Sequence, residues 1–283
     1  MAVKSYIIPA DLREAVASLK SEGRKVGLVP TMGALHDGHL SLFKELSKSC
    51  DSLVASIFVN PKQFGPGEDF STYPRTIKDD LAKLESVGVD AVFIPNANDI
   101  YPDGFQTFLT NEEMSSVLCG KYRPGHFQGV LTIVLKLLNM VQPDVAIFGR
   151  KDYQQYQIIK AMVRDLCVPV EVIGGSIIRE EDGLAMSSRN IRIKDEHREQ
   201  ASLLYKGLRS SHDLFATGCY DVGELVDNFQ EHIKSTEFKL QYAEIRSQKH
   251  LREFESEVNE AAVFAVAAYL GDVRLIDNIE LGL

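Results

Sequence analysis

Five short apolar runs, each ending in Gly, Pro or Asn, constrain the first 175 residues more than any other feature: Lys25–Pro30 (KVGLVP), Ser52–Asn60 (SLVASIFVN), Ala91–Pro95 (AVFIP), Asp144–Gly149 (DVAIFG) and Pro169–Gly174 (PVEVIG). A strand covered on both faces needs apolar residues at every position, so such runs predict buried parallel strands. Helical patterns surround and separate them, over Asp11–Glu22, Gly38–Ser49, Thr76–Val87, Val130–Val141 and Tyr153–Asp165. Strand–helix alternation of this kind predicts an α/β fold, an open, doubly wound, Rossmann-like sheet. Such sheets bind ligands at the carboxyl ends of their strands.

The texture changes past about Ile177. Glu196–Thr217 and Asp221–Ser235 read as amphipathic helices, and Leu240–Arg246, Ala261–Leu270 and Val273–Ile279 as strands of a small antiparallel sheet. The expected organisation is a Rossmann-like domain over residues 1–176 and a smaller α+β domain over 177–283. Paired glycines are permissive backbone, which puts the expected hinge at Gly174-Gly175-Ser176.

With 31 Lys and Arg against 40 Asp and Glu, the net charge is −9, which offers no global basic footprint for nucleic acid. Anions can still be bound by cations and backbone N–H groups gathered locally. The densest apolar run, Ala261–Leu270, is half of what a spanning helix needs, and the first residues lack a signal-peptide layout. Cys50, Cys119, Cys167 and Cys219 are scattered without a CxxC, as expected of reduced thiols in a cytoplasmic protein.

Two strings carry the chemistry. In PTMGALHDGH, Met32-Gly33-Ala34-Leu35-His36-Asp37-Gly38-His39 lies where the first strand gives way to a helix. The glycines permit close approach of a ligand, and Asp37 is the expected N-cap, with His39 in the first turn. A helix N-terminus favours anions and disfavours imidazolium, so two neutral imidazoles are suited to donate to a phosphate chain. A zinc pair fits poorly, because HxxH lacks the HExxH spacing and its Glu base. The second string is GLAMSSRN, in which Ser187, Ser188 and Arg189 form a compact phosphate clamp, Arg189 through a bidentate guanidinium.

Together the two strings resemble the HIGH-like and KMSKS-like signatures of nucleotidyltransferases and class I aminoacyl-tRNA synthetases. PTMGALHDGH, SIFVNPKQF, YPRT, RPGHFQGV, QPDVAIFGRKDYQQ, GLAMSSRN and RLIDN, in this order, are similar to the motifs of the pantoate–β-alanine ligases, from about Val29 to Asn278. The resemblance implies a Mg²⁺-dependent reaction in which pantoate attacks the α-phosphate of ATP and the resulting pantoyl adenylate is captured by β-alanine. It implies catalytic roles for His39, His36, Lys151 and Arg189. Residues 32–39, Gly149, Arg150, Lys151, Asp152, Ile178, Met186, Ser187, Ser188 and Arg189 then bind ATP, while Gln63 and Gln155 bind pantoate, Gln63 beside β-alanine. A homodimer is implied as well.

The residues themselves suit these roles. Lys151 offers a point charge to phosphate and Asp152 an acceptor to ribose hydroxyls. A neutral amide can orient a carboxylate with less quenching of its nucleophilicity than a lysine would cause. Arg123, His126 and Gln128 sit in a Gly/Pro-rich stretch that could close the pantoate pocket, with Met32 and Phe64 as apolar walls. Asp79 and Asp80 are weak candidates for Mg²⁺ and equally read as first-turn helix acids. Another nucleotidyltransferase would explain HDGH but not Gln63, Gln155 or RPGHF, and a silent nucleotide binder has no need of both phosphate clamps.

Overall fold

Parallel pairing organises the first half of the chain. The computed structural model describes residues 3–282, which fall into two compact units. The first comprises residues 1–116, 120–150 and 158–176; the second comprises 117–119, 151–157 and 177–283.

In chain order the first half contains β1 (Lys4–Tyr6), α1 (Pro9–Ser21), β2 (Val26–Thr31), α2 (Asp37–Leu46), β3 (Ser52–Ile57), α3 (Ile77–Ser86), β4 (Ala91–Phe93), α4 (Ala97–Ile100), α5 (Leu118–Tyr122), α6 (His126–Val141), β5 (Val145–Gly149), α7 (Tyr153–Asp165) and β6 (Glu171–Gly175). The six strands form one parallel sheet in the order β1-β4-β3-β2-β5-β6. β2 is flanked by β3 and β5, so the winding reverses beside it, and the carboxyl ends of β2 and β5 frame the switch point where such sheets take ligands.

Burial explains the apolar runs. Val26, Gly27, Leu28 and Val29 of β2 are all buried, as is every residue of β3. Leu42, Phe43 and Leu46 of α2 share a core with Val29, Ala55 and Ile147. β1 escaped the sequence reading because three partly exposed residues at a sheet edge carry no apolar run. Gly174 and Gly175, expected as a hinge, are strand residues paired with Phe148 and Gly149. A Cβ on Gly175 would meet Leu42 Cδ2 at 2.1 Å, so packing against α2 accounts for that glycine.

The second unit contains α8 (Asp195–Ala201), α9 (Leu203–Ala216), α10 (Val222–Ile233), β7 (Lys239–Ser247), β8 (Ala262–Leu270) and β9 (Val273–Leu281). The strands form an antiparallel meander, β7-β8-β9. Leu208, Phe215, Phe229, Phe264 and Leu275 meet in its core. The single helix expected over Glu196–Thr217 is broken at Ser202, whose hydroxyl donates to Glu199 O at 2.9 Å, a local bond that competes with the helical ladder.

Candidate active site

β2 ends at Thr31, and the chain turns sharply before entering α2. Gly33 and Ala34 both take positive φ, 80° and 51°. Thr31 Oγ1 accepts from Gly33 N–H at 3.2 Å and donates to Ser56 O at 2.7 Å, tying the turn to β3. His36, rather than the expected Asp37, occupies the N-cap of α2 with extended backbone; Asp37 is the first helical residue, where its carboxylate favours the helix dipole. The His36 N–H donates to His39 Nδ1 at 3.3 Å, and the two rings lie 4.0 Å apart. Because Nδ1 of His39 accepts, the neutral ring carries its proton on Nε2, which makes that nitrogen a donor.

Asp80 corrects one expectation from sequence. Its carboxyl is fully buried, and its oxygens accept the N–H groups of Ala34 at 3.0 Å and Leu35 at 2.8 Å. Both oxygens are thereby committed to the turn, so Asp80 does not fit a Mg²⁺ ligand; Asp79 faces solvent. Among the described residues, no cluster of three or more His, Cys, Asp or Glu is arranged to hold a metal ion. The same bonds remove the Ala34 and Leu35 N–H groups from the set that could meet a nucleotide.

Gln63 lies at the carboxyl end of β3 and reaches back to the first motif, its Nε2 donating to Met32 Sδ at 3.1 Å. Its Oε1 accepts from Asn60 Nδ2 at 3.0 Å, and Asn60 also donates to Gly129 O at 3.1 Å. Tyr101 donates to Asn60 Oδ1 at 2.8 Å, and burial pushes the Tyr101 hydroxyl up despite that bond, keeping it a donor. This chain of bonds turns the amide of Gln63 so that it presents N–H. Asn60 and Tyr101 were missed by sequence reasoning; Asn60 sat inside the quoted SIFVNPKQF, but no pattern marks Tyr101.

The RPGHFQG stretch supports the same glutamine. Arg123 holds Glu68 through two bonds of 2.8 and 2.6 Å and approaches His126 Nε2 at 3.0 Å. Arg123 can only donate, so Nε2 accepts and the Nδ1–H of His126 donates to Gln63 O at 2.8 Å. Burial pushes the Glu68 carboxyl up, but the hydrogen bonds and charge of Arg123 outweigh it and hold the group below the usual 4.5. Gly129 lets α6 approach, since a Cβ there would fall 2.1 Å from Lys62 O. Gln128 instead faces outward toward Thr110. Phe64 packs on Phe70 and Tyr73. Gly149 and Arg150 follow β5, beside β2.

In the second unit, the other expected residues fall on one framework. Met186 N–H donates to Ile178 O at 3.0 Å, within a short hairpin bridged by Arg179 and Ala185. Ser187 Oγ accepts from Arg189 N–H at 3.2 Å, which shapes the turn bearing Ser188 and Arg189. RLIDN gains a structural meaning here. Asp277 is buried and pairs bidentately with Arg179 at 2.6 and 3.0 Å, while Arg179 also donates to Gly183 O at 3.1 Å. Asn278 Nδ2 donates to Lys151 O at 2.9 Å. Lys151 and the Arg179 hairpin are thus anchored to adjacent residues of β9. Asp152 is exposed and Gln155 half-buried, next to Gln154, whose amide grips Val117 O and Cys119 N–H.

The profile of the Pantoate-beta-alanine ligase family matches residues 6–280. A pantothenate synthetase of Pseudomonas savastanoi is 46% identical over 273 residues, covering 96% of each chain. One from Carboxydothermus hydrogenoformans is 47% identical over 272 residues, covering 95% of this chain and 96% of its own. The crystal structure of pantothenate synthetase from Thermus thermophilus aligns at a TM-score of 0.94 with 41% identity, over 99% of this chain and 100% of that one. A pantoate-β-alanine ligase from Francisella tularensis, complexed with β-γ ATP and β-alanine, aligns at 0.81 with 37% identity, over 98% of this chain and 97% of that one. With the motifs on their expected elements and the match running nearly end to end, this chain belongs to the pantoate–β-alanine ligase family.

Proposed function

We propose that the chain joins pantoate to β-alanine at the expense of ATP, through a pantoyl adenylate. A pantoate carboxylate oxygen attacks the α-phosphorus and pyrophosphate leaves. The amine of β-alanine then attacks the acyl carbon, and AMP departs with that pantoate oxygen. The observation that carries the reading is the pair of imidazoles 4.0 Å apart at the head of α2, beside the sheet's switch point. The substrate pair comes from the relatives, which are pantothenate synthetases, one of them complexed with β-γ ATP and β-alanine.

His39 Nε2–H is the leading donor to phosphate oxygen, with His36 beside it, and acts as charge moves toward departing pyrophosphate. No covalent enzyme intermediate is needed, so positioning and electrostatics do most of the work. Lys151, Ser187, Ser188 and Arg189 neutralise the triphosphate, while Gly149, Arg150, Asp152, Ile178 and Met186 hold the rest of the nucleotide. Mg²⁺ would come with ATP as part of that substrate and would supply positive charge against the triphosphate. Gln63 and Gln155 orient pantoate, Gln63 as an N–H donor to its carboxylate. The enzyme works as a homodimer in the cytoplasm on this reading; no helix among the described residues is long and apolar enough to cross a membrane.

Incubation with ATP, Mg²⁺ and pantoate, with and without β-alanine, tests the proposal. Pyrophosphate release that requires pantoate, and AMP and pantothenate that require β-alanine, are expected. A product that keeps the nucleotide attached, or pyrophosphate released without pantoate, would contradict it.

A further inference from the structure

One face of α3 grips the turn that precedes the two histidines. Thr76, Asp80 and Lys83 recur at helical spacing along that face. Asp80 accepts the consecutive N–H groups of Ala34 and Leu35, and the Thr76 hydroxyl donates to the same carboxylate at 3.3 Å. Lys83 Nζ donates to Leu35 O at 2.5 Å. Both polar groups of the Leu35 backbone are therefore held from α3, and the next residue is His36.

The turn needs holding. Ala34 at φ 51° occupies the left-handed region, which an L-residue adopts only where its surroundings hold it there. Consecutive N–H groups beside left-handed residues form a concavity that attracts an anion. Here that concavity is filled by a carboxylate of the chain itself, with Gly33 leaving it room: a Cβ there would meet Asp80 Oδ2 at 3.0 Å. An internal anion at this point keeps the nucleotide's phosphates off the turn and leaves them to the imidazoles beyond it. It also fixes the backbone from which the His36 N–H reaches His39 Nδ1, the bond that sets the proton on Nε2.

We propose that Asp80, assisted by Lys83, is a positioning residue for adenylate formation, acting through the Ala34-Leu35 turn on His36 and His39 and binding no metal. The inference rests on the ligase reading above. Two measurements test it. In the first, pyrophosphate release is followed without β-alanine, and aminolysis of the accumulated adenylate is followed separately. Asp80→Asn keeps the volume but sets an NH2 against an amide N–H; it should slow adenylate formation about a hundredfold, the scale of a small misplacement of catalytic groups. Aminolysis should be spared, and excess Mg²⁺ should restore nothing. Lys83→Met, at an exposed position outside the core, should slow the same step severalfold, with Lys83→Arg restoring it. In the second, ¹H–¹⁵N spectra of the ligand-free imidazoles should report an Nε2–H tautomer at His39 in the wild type and its loss in Asp80→Asn. Rescue by Mg²⁺, equal losses in both half-reactions, or Lys83→Met at full adenylation rate would overturn the proposal. Should the wild type release no pyrophosphate, the ligase reading falls while the His39 tautomer still tests the clamp, which an unchanged tautomer in Asp80→Asn would refute.

Discussion

A hydrogen bond to one ring nitrogen decides what His39 can do. With Nδ1 accepting from the His36 N–H, Nε2 is the donor, and a neutral donor can follow charge as it builds on phosphate. His39→Ala should lower the adenylate-forming rate by about two to four orders of magnitude in a pyrophosphate-release assay; a loss under about tenfold, roughly 1.4 kcal/mol, would remove His39 from the chemistry. Gln155→Ala should raise the KM for pantoate and leave that for ATP alone, and an unchanged pantoate KM would end its assignment. The histidines, the lysine and the glutamines are proposed from the sequence because they sit in strings whose residue types match the chemistry. The contacts of Asp80 were not legible there: an acid in a helix's first turn reads the same whether it faces solvent or a loop distant in sequence, and only the fold brings Ala34 and Leu35 N–H to it.

Elements act on the site by how closely they can approach it. α6 reaches the Gln63 turn only because Gly129 has no side chain, its missing Cβ lying 2.1 Å from Lys62 O. Gly129→Ala should therefore cost about 1–3 kcal/mol, the usual price of overpacking, with a lower Tm and a raised pantoate KM; an unchanged melting curve would contradict this contact. The Glu68–Arg123 pair ties the RPGH turn to the same region. Since the folded Glu68 carboxyl is held below 4.5, its contribution is fully present above that value and is lost as pH falls through the lower, folded one. Denaturation midpoints should fall more steeply between about pH 5 and pH 3 for the wild type than for Glu68→Gln; parallel curves would refute the linkage. The strands themselves were legible, because a strand covered on both faces has no freedom to be polar. β1 and the break at Ser202 were not, the first being too short and exposed, the second lying between two helices that share an amphipathic pattern.

At the scale of the molecule, the proposed reaction asks an acidic chain of net charge −9 to meet a triphosphate through cations and imidazoles gathered locally. His39 belongs to the first unit, Lys151 and Arg189 to the second. If all three serve one ATP, its binding should change the solution scattering of the protein toward a smaller radius of gyration; no ATP-dependent change would rule out a large closure. The order of the parallel strands followed from no single residue, yet it is what sets the end of β2 beside the end of β5. The most direct measurement of the proposed reaction uses pantoate labelled with ¹⁸O in its carboxylate, with ³¹P spectra of the nucleotide product. Adenylate chemistry transfers one labelled oxygen to AMP and leaves pyrophosphate unlabelled, and that is the expected result. Unlabelled AMP, or label in inorganic phosphate alongside ADP, would contradict it.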